Sequence, residues 1–344
     1  MSKPLQSLTL RGQVLCLRKL AAHALEQYDL EITSFHLLGW YTNLLFRVRT
    51  MQGTSYVLRL CSPGWRTETD IHSEVLWLQA ISRETDIVAP RPIPTRNGDL
   101  VIDAPLPDIP GYGRCVLMTW MPGVSLGKQL TKANLYKMGV LFARLHDYSL
   151  RFTPPPGFTQ RIMDHPLARD EENVLFQPGC LAGLNSHEQD TLVCTKDRVD
   201  KAYRQLYAQP DGLRVIHNDL WHGNIKIYRG HLYPVDFEDT IWGYPIQDIA
   251  MAMLDLMSDV TPGLYEPLQA AFRRGYESLL SWPEDYEGQM DTFRAGRLLW
   301  IANYVARFES QYLKQHITRL TQQLERFQEI GQLRKLEGQT DQPV

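Results

Sequence analysis

The sequence has no apolar run long enough to cross a membrane, no stripe of like charge and few cysteines. Its candidate run, Ile249–Met257, is far shorter than the roughly 20 residues a bilayer demands and already carries Asp255, so no membrane partner is expected. Lys plus Arg number 36 against 39 Asp plus Glu, a formal charge of −3, and no basic stripe is available to follow a phosphate backbone. Nucleic acid is therefore not an expected partner. Cys16, Cys61, Cys115, Cys180 and Cys194 are odd in number and irregularly spaced, with no C-x-x-C pair. That speaks against a disulfide framework or a zinc site and predicts buried free thiols. The stretch MSKPLQSLTLRGQVLCLRKL lacks an apolar core followed by a small-residue cleavage site, so a cytoplasmic protein is expected.

What is present is the makeup of a chain with a large core: 44% hydrophobic, 22% charged and 10% aromatic residues. At roughly 150 residues per domain, 344 residues imply two lobes. The first 120 residues read mainly as strands. Helical spacing predicts a helix over Leu15–Tyr28, and two β-rich runs, Leu44–Val48 and Tyr56–Leu60, joined through Met51-Gln52-Gly53, predict a hairpin. Ile71, Val75 and Leu78 restore helical spacing over Thr67–Ile81, with Asp70 and Glu74 on turns where acids suit the helix dipole. Asn97-Gly98 between Ile93 and Val101 predicts a second hairpin, Cys115–Met121 a buried strand, and Pro105, Pro107 and Pro110 a loop. The GWRTE segment around Trp65 reads as a mobile connection.

Past Pro122-Gly123 the pattern turns helical. Leu135, Met138, Phe142 and Leu145 mark an amphipathic helix running to Tyr148, which Pro154-Pro155-Pro156-Gly157 closes off. Further helices are predicted over Lys201–Ala208, Ile249–Ser258, Leu264–Tyr276 and, as one long element, Phe293–Gln322. Leu333–Val344 is a polar tail expected to fray.

Between Val215 and Ala250, His217, Asp219, Asn224, Asp236, Glu238, Asp239 and Asp248 crowd into 36 residues, more acids than a structural lobe needs. An apolar start at Val215 and Ile216, a polar loop and two short strands, Ile225–Tyr228 and Leu232–Val235, would set Asp219, Asn224 and Asp236 at one end of a hairpin. Oxygen donors of this kind suit a hard cation, since Mg²⁺ takes one or two carboxylates, substrate phosphates and water. With Asn224 and Asp236 on the metal, Asp219 is left to orient a hydroxyl nucleophile, the division of labour phosphoryl transfer requires. Taken alone, Asp236-Phe237-Glu238 reads as a strand end with solvated acids, and His222 and His231 as surface or hydrogen-bonded histidines. A metal-dependent hydrolase built on His217, Asp219, His222 and Asp236 is a rival reading.

His217-x-Asp219-x4-Asn224, followed after eleven residues by Asp236-Phe237-Glu238, resembles the catalytic and metal-binding motifs of protein kinases. It is more closely similar to those of the aminoglycoside phosphotransferase, choline kinase and homoserine kinase group. Gln247-Asp248-Ile249-Ala250 is similar to that group's downstream D-[IL]-A, and Leu145-His146 to the end of its first C-lobe helix. The resemblance implies an α+β, protein-kinase-like two-lobed fold, with a β-rich N-lobe over residues 1–119 and a mainly helical C-lobe over 120–344. It implies an ATP-dependent phosphotransferase that moves the γ-phosphoryl group to a hydroxyl of a small molecule: an aminoglycoside, an amino alcohol, a homoserine-like compound or a sugar. By the same likeness Asp219 is the catalytic base, Asn224 and Asp236 hold Mg²⁺, His217 orders the loop and Asp248 braces it. Asn43, with the backbone of Leu38–Asn43, would cover the phosphates, and Met118, Trp120 and Met121 would form the hinge that meets adenine.

One departure concerns the strand that carries a phosphate-binding Lys in this group. Here Arg59 stands at that place, and no Lys occurs between Lys19 and Lys128. Arg grips phosphate oxygens as a fork, and Glu74 on the following helix is its expected partner. Gly39 is the one glycine of the covering loop; the missing three-glycine pattern favours a small-molecule acceptor over a protein. A nucleotide-binding module without turnover and a kinase of protein Ser or Thr remain alternatives. Trp242, Tyr244, Trp300 and Tyr304 are candidates for an acceptor pocket, where a cation could sit on aromatic faces, with core packing the plain alternative for each. Arg297, Trp300, Tyr304 and Arg307 share nearby faces of one helix that could meet an acceptor's carboxylate or ring.

Overall fold

Two threonines decide where the first helices begin. Thr9 accepts a hydrogen bond from the Gly12 N–H and starts α1 (Leu10–Leu25), and Thr67 forms a reciprocal cap with Asp70 and starts α2 (Glu68–Glu84). The cap at Thr9 carries α1 upstream of the expected Leu15 start, and the helix stops at Leu25; Tyr28 is buried from the turn beyond it. The computed structural model describes residues 5–105, 113–167, 171–209 and 211–333. Expectations for Pro107, Pro110 and nearly all of the tail lie outside the described residues. The chain separates into two compact units: Met1–Gly123 with Pro154–Thr159 and Tyr233–Glu238, and Val124–Thr153 with Gln160–Leu232 and Asp239–Val344.

The first unit is a five-stranded antiparallel sheet in the order β1-β2-β3-β5-β4, formed by β1 (Ile32–Trp40), β2 (Leu44–Thr50), β3 (Ser55–Leu60), β4 (Ile102–Asp103) and β5 (Arg114–Thr119). Alternation along β2 buries Leu44, Phe46 and Val48, which pack with Leu58, Leu60 and Leu117 under Leu17, Leu20 and Ala24 of α1. Each leucine so covered is worth about 2 kcal/mol. The edge strand β1 has no fully buried residue, so it carries no alternation to betray it. Asn97-Gly98 does turn, with the Gly98 N–H on Thr95 O and Gly98 at φ 92°. The segments either side, however, pair with β5 instead of each other: Pro92 opposes Met118 and Ile102 opposes Cys115. Ser73 of α2 exchanges hydrogen bonds of 2.6 and 2.8 Å with the Thr159 backbone, tying in Pro154–Thr159.

The second unit contains β6 (Val124–Ser125), α3 (Lys132–Arg151), α4 (Pro178–Leu181), α5 (Ser186–Tyr207), β7 (Arg214–Ile216), β8 (Ile225–Tyr228), β10 (Ile241–Gly243), α6 (Pro245–Asp259), α7 (Pro262–Glu277), α8 (Gln289–Phe308) and α9 (Leu313–Ile330). From β8 the chain turns through Arg229 and Gly230, both at positive φ, into β9 (His231–Pro234) and so passes to the first unit. Helices α3 and α7 meet backbone to backbone: a Cβ on Gly139 would lie 2.0 Å from Phe272 O, and one on Gly275 2.0 Å from Tyr136 O. Helix α6 is apolar nearly all round and covered, the mark of a central core helix, which makes its buried Asp248 conspicuous.

The predicted helix Phe293–Gln322 is in fact two. Phe308 and Tyr312 stay half exposed, so nothing in the polar stretch between Arg307 and His316 is packed firmly enough to hold helix through Glu309–Tyr312. The thiols also differ from expectation: all five are free, yet only Cys61 and Cys115 are buried, and Cys194 is exposed. Among the described residues no helix is long and apolar enough to cross a membrane.

Candidate active site

In the second unit the site is a loop held from below. Strand β7 pairs with β10, and Ser149 of α3 donates to Val215 O at 2.6 Å, fixing the strand end from which His217–Asn224 departs. Asp248 of α6 receives the next two backbone amides, His217 N at 3.3 Å and Asn218 N at 2.7 Å. Asn218 takes the left-handed conformation, φ 62°, that presents those amides in succession. His217 is buried, and its Nδ1 accepts from Asp219 N at 3.3 Å. The Asp248 carboxylate also meets His146 Nε2 at 3.0 Å, and His146 Nδ1 meets the Tyr276 hydroxyl at 3.1 Å.

The Asp219 carboxylate is gripped at both oxygens. Asn224 donates Nδ2 to Oδ2 at 2.8 Å and to the Asp219 carbonyl at 2.9 Å, and Arg297 of α8 donates Nη2 to Oδ1 at 2.8 Å. Because the amide nitrogen of Asn224 is spent on Asp219, the oxygen is the atom it can offer a cation. Asp255, one helix away on α6, has its pKa pushed up to about 6 by burial, against the opposing charge of Arg297 and with that of Asp259. His222 Nε2 meets Asp259 at 2.8 Å, and burial holds its pKa below the ordinary histidine value despite that acid. Among the described residues no three His, Cys, Asp or Glu side chains gather as a metal-holding group, so the set His217, Asp219, His222 and Asp236 of the hydrolase reading is not assembled.

The first unit holds the second cluster. Arg59, next to the last residue of β3, and Glu74 of α2 form a buried two-point ion pair, Nη1 to Oε1 at 2.9 Å and Nη2 to Oε2 at 2.5 Å. Burial lowers the Arg59 pKa, and Glu74, Cys61 and Glu238 outweigh it, so the group lies above the ordinary arginine value. Glu238 completes the cluster: its carboxylate accepts from Thr42 at 2.8 Å, from Asn43 Nδ2 and from Trp65 Nε1 at 3.2 Å, and stands 3.8 Å from Arg59 Nη1. Asn43, Arg59, Arg66, Glu74 and Glu238 line a water-sized cavity of about 10 Å³. The GWRTE segment is therefore an anchored part of the cluster, with Arg66 Nε also on Glu238 O at 3.2 Å, and not a mobile connection.

Asp236 lies in the same unit, within Tyr233–Glu238, at φ 67°, a strained conformation for a non-glycine residue. Met118 ends the buried part of β5, Trp120 N donates to Ser55 O with its ring under the Arg47 guanidinium at 4.2 Å, and Met121 is half buried. Trp242 and Tyr244 take structural places, Trp242 paired with Val215 in the β7–β10 ladder and Tyr244 donating to Gln209 O. Trp300 and Tyr304 stack on the half-buried face of α8, 5.9 Å between centroids. Sequence reasoning missed the Arg297 contact to Asp219 and the gathering role of Glu238; neither has a local signal, because the partners lie 78 and about 195 positions apart.

A β-sheet unit with a buried strand-to-helix ion pair and a helical unit with a braced His-x-Asp-x4-Asn loop define a protein-kinase-like phosphotransferase. The model of the phosphotransferase enzyme family matches residues 36–282, and the chain belongs to that family, as the motif resemblance implied. It is 24% identical over 330 residues to an uncharacterized protein of Synechocystis sp., spanning 91% of this chain and 86% of that one. Among solved structures, a microcompartment-associated aminopropanol kinase shares 22% identity at a TM-score of 0.74, covering 92% of this chain and 99% of that one. An amicoumacin kinase in complex with AMP-PNP, Ca²⁺ and amicoumacin shares 18% identity at 0.72, covering 90% and 93%. The expected α+β fold, with an antiparallel sheet unit and a helical unit, is the one observed.

Proposed function

We propose that the protein transfers the γ-phosphoryl group of ATP to a hydroxyl of a small molecule, with an amino alcohol the leading acceptor class. The observation that carries the reading is the Asp219 carboxylate, fixed by Asn224 on a loop suspended from Asp248. Asp219 orients the acceptor hydroxyl and takes its proton as the bond to phosphorus forms. Arg59, charged and braced by Glu74, holds phosphate oxygens, and Asn43 contributes from the covering turn. Met118, Trp120 and Met121 receive the adenine. The donor chemistry of Asn224 and Asp236, one amide oxygen and one carboxylate, fits Mg²⁺. When bound, that ion neutralises charge on the phosphates. The likeness to an aminopropanol kinase supports the acceptor class.

The test is Mg²⁺-dependent ADP release from ATP in the presence of aminopropanol, choline, ethanolamine, homoserine, aminoglycosides and hydroxylated sugars, with Asp219→Asn alongside. Release stimulated by one acceptor class and lost in Asp219→Asn, with ATP binding kept, bears the proposal out. If ATP binds, no acceptor stimulates release and the variant equals the parent, the chain is a nucleotide-binding module.

A further inference from the structure

We infer that Arg297 is a positioning residue for Asp219, not a binding group for the acceptor; the inference rests on the reading of Asp219 as the base. Arg297 and Asn224 take one carboxylate oxygen each at 2.8 Å, which fixes the Asp219 side-chain torsion. Each carboxylate oxygen accepts more than one hydrogen bond, so the grip leaves room for a hydroxyl.

The guanidinium is itself held. It lies 4.1 Å over the Trp300 ring, one turn along α8, and Trp300 is in turn fastened by Nε1 to Glu171 Oε2 at 2.8 Å and stacked on Tyr304. With its side chain only 13% exposed and Nε closed off from solvent, Arg297 presents little surface to a solute. Its charge is also spoken for, because it faces two acids of this chain, Asp219 and Asp255. An acceptor carboxylate arriving there would meet no net positive charge.

The experiment is steady-state kinetics of Arg297→Ala and Arg297→Lys with the acceptor that the panel identifies, ATP binding by calorimetry, and added guanidinium ion. Expected for Arg297→Ala is a kcat lower by roughly tenfold or more, acceptor KM and ATP affinity within about twofold, and partial recovery on adding guanidinium. Arg297→Lys, which keeps the charge and loses the planar fork, falls between. A raised acceptor KM with kcat unchanged, or no kinetic effect, overturns the inference. Thermal unfolding of Asp219→Asn, Arg297→Gln and the double variant reads the pair without turnover, and non-additive shifts are expected. An active chain with additive shifts overturns the inference alone. A chain inactive toward every acceptor but with non-additive shifts overturns the proposed function and leaves the pairing standing.

Discussion

His146 Nε2 and Asp248 Oδ2 meet at 3.0 Å with both side chains about 1% exposed, and the same carboxylate receives the His217 and Asn218 amides. One buried acid thus serves an imidazole on α3 and the turn that opens the His217–Asn224 loop. Removing it strands two amides and an imidazole away from water. Asp248→Ala is expected to cost about 3–5 kcal/mol, read as a fall in the urea midpoint. Asp248→Asn, which keeps one accepting oxygen and the volume, should cost less than half as much.

The α3–α7 contact makes a sharper steric prediction. Gly139 and Gly275 face backbone atoms at distances no Cβ can share, and backbone does not step aside as a side-chain end does. Gly139→Ala should lose about 3 kcal/mol or more in urea unfolding. Gly263→Ala, where a Cβ meets nothing within 4 Å, should be neutral or stabilising by about 0.5 kcal/mol. Equal effects at the two positions would contradict the close crossing.

How much of this was legible follows from how local each signal is. Helix α3 and strand β2 advertise themselves through apolar spacing because one face of each is buried. Strand β1 has no buried residue, and the break before α9 falls where Phe308 and Tyr312 look like stripe members but stay exposed, so pattern alone misleads there. At the site, the types and spacing of Asp219, Asn224 and Asp248 were open to reading in one short segment. Glu238 and Arg297 were not, since what defines them is the company of Thr42, Asn43 and Trp65 in one case and Asp219 in the other, all remote in the chain.

Asp255 should make stability pH-dependent. Burial raises its pKa to about 6, so the folded state favours the neutral acid more than the unfolded chain does. That contribution is fully present below the ordinary carboxylate value and is lost as pH rises through about 6. Asp255→Asn removes the titration. Relative to wild type the variant should gain up to about 2–3 kcal/mol between pH 4 and pH 7, measured as the difference in urea midpoints, where other groups cancel. A difference independent of pH would refute the shifted carboxyl.

The Arg59–Glu74 pair separates folding from nucleotide binding. Both side chains are 4% exposed or less, so a lone Arg59→Met leaves the Glu74 charge buried without its two-point partner and removes the cation that stands 3.8 Å from Glu238. The expected cost is about 3–5 kcal/mol. Replacing both partners, Arg59→Met with Glu74→Met, removes the stranded charge and should restore most of that stability, because well-packed apolar substitutes for a buried pair are often neutral. If Arg59 holds phosphates as proposed, calorimetry should find ATP binding weakened in the single variant and equally weak in the stable double variant. Recovery of ATP affinity together with stability would assign Arg59 to the fold alone.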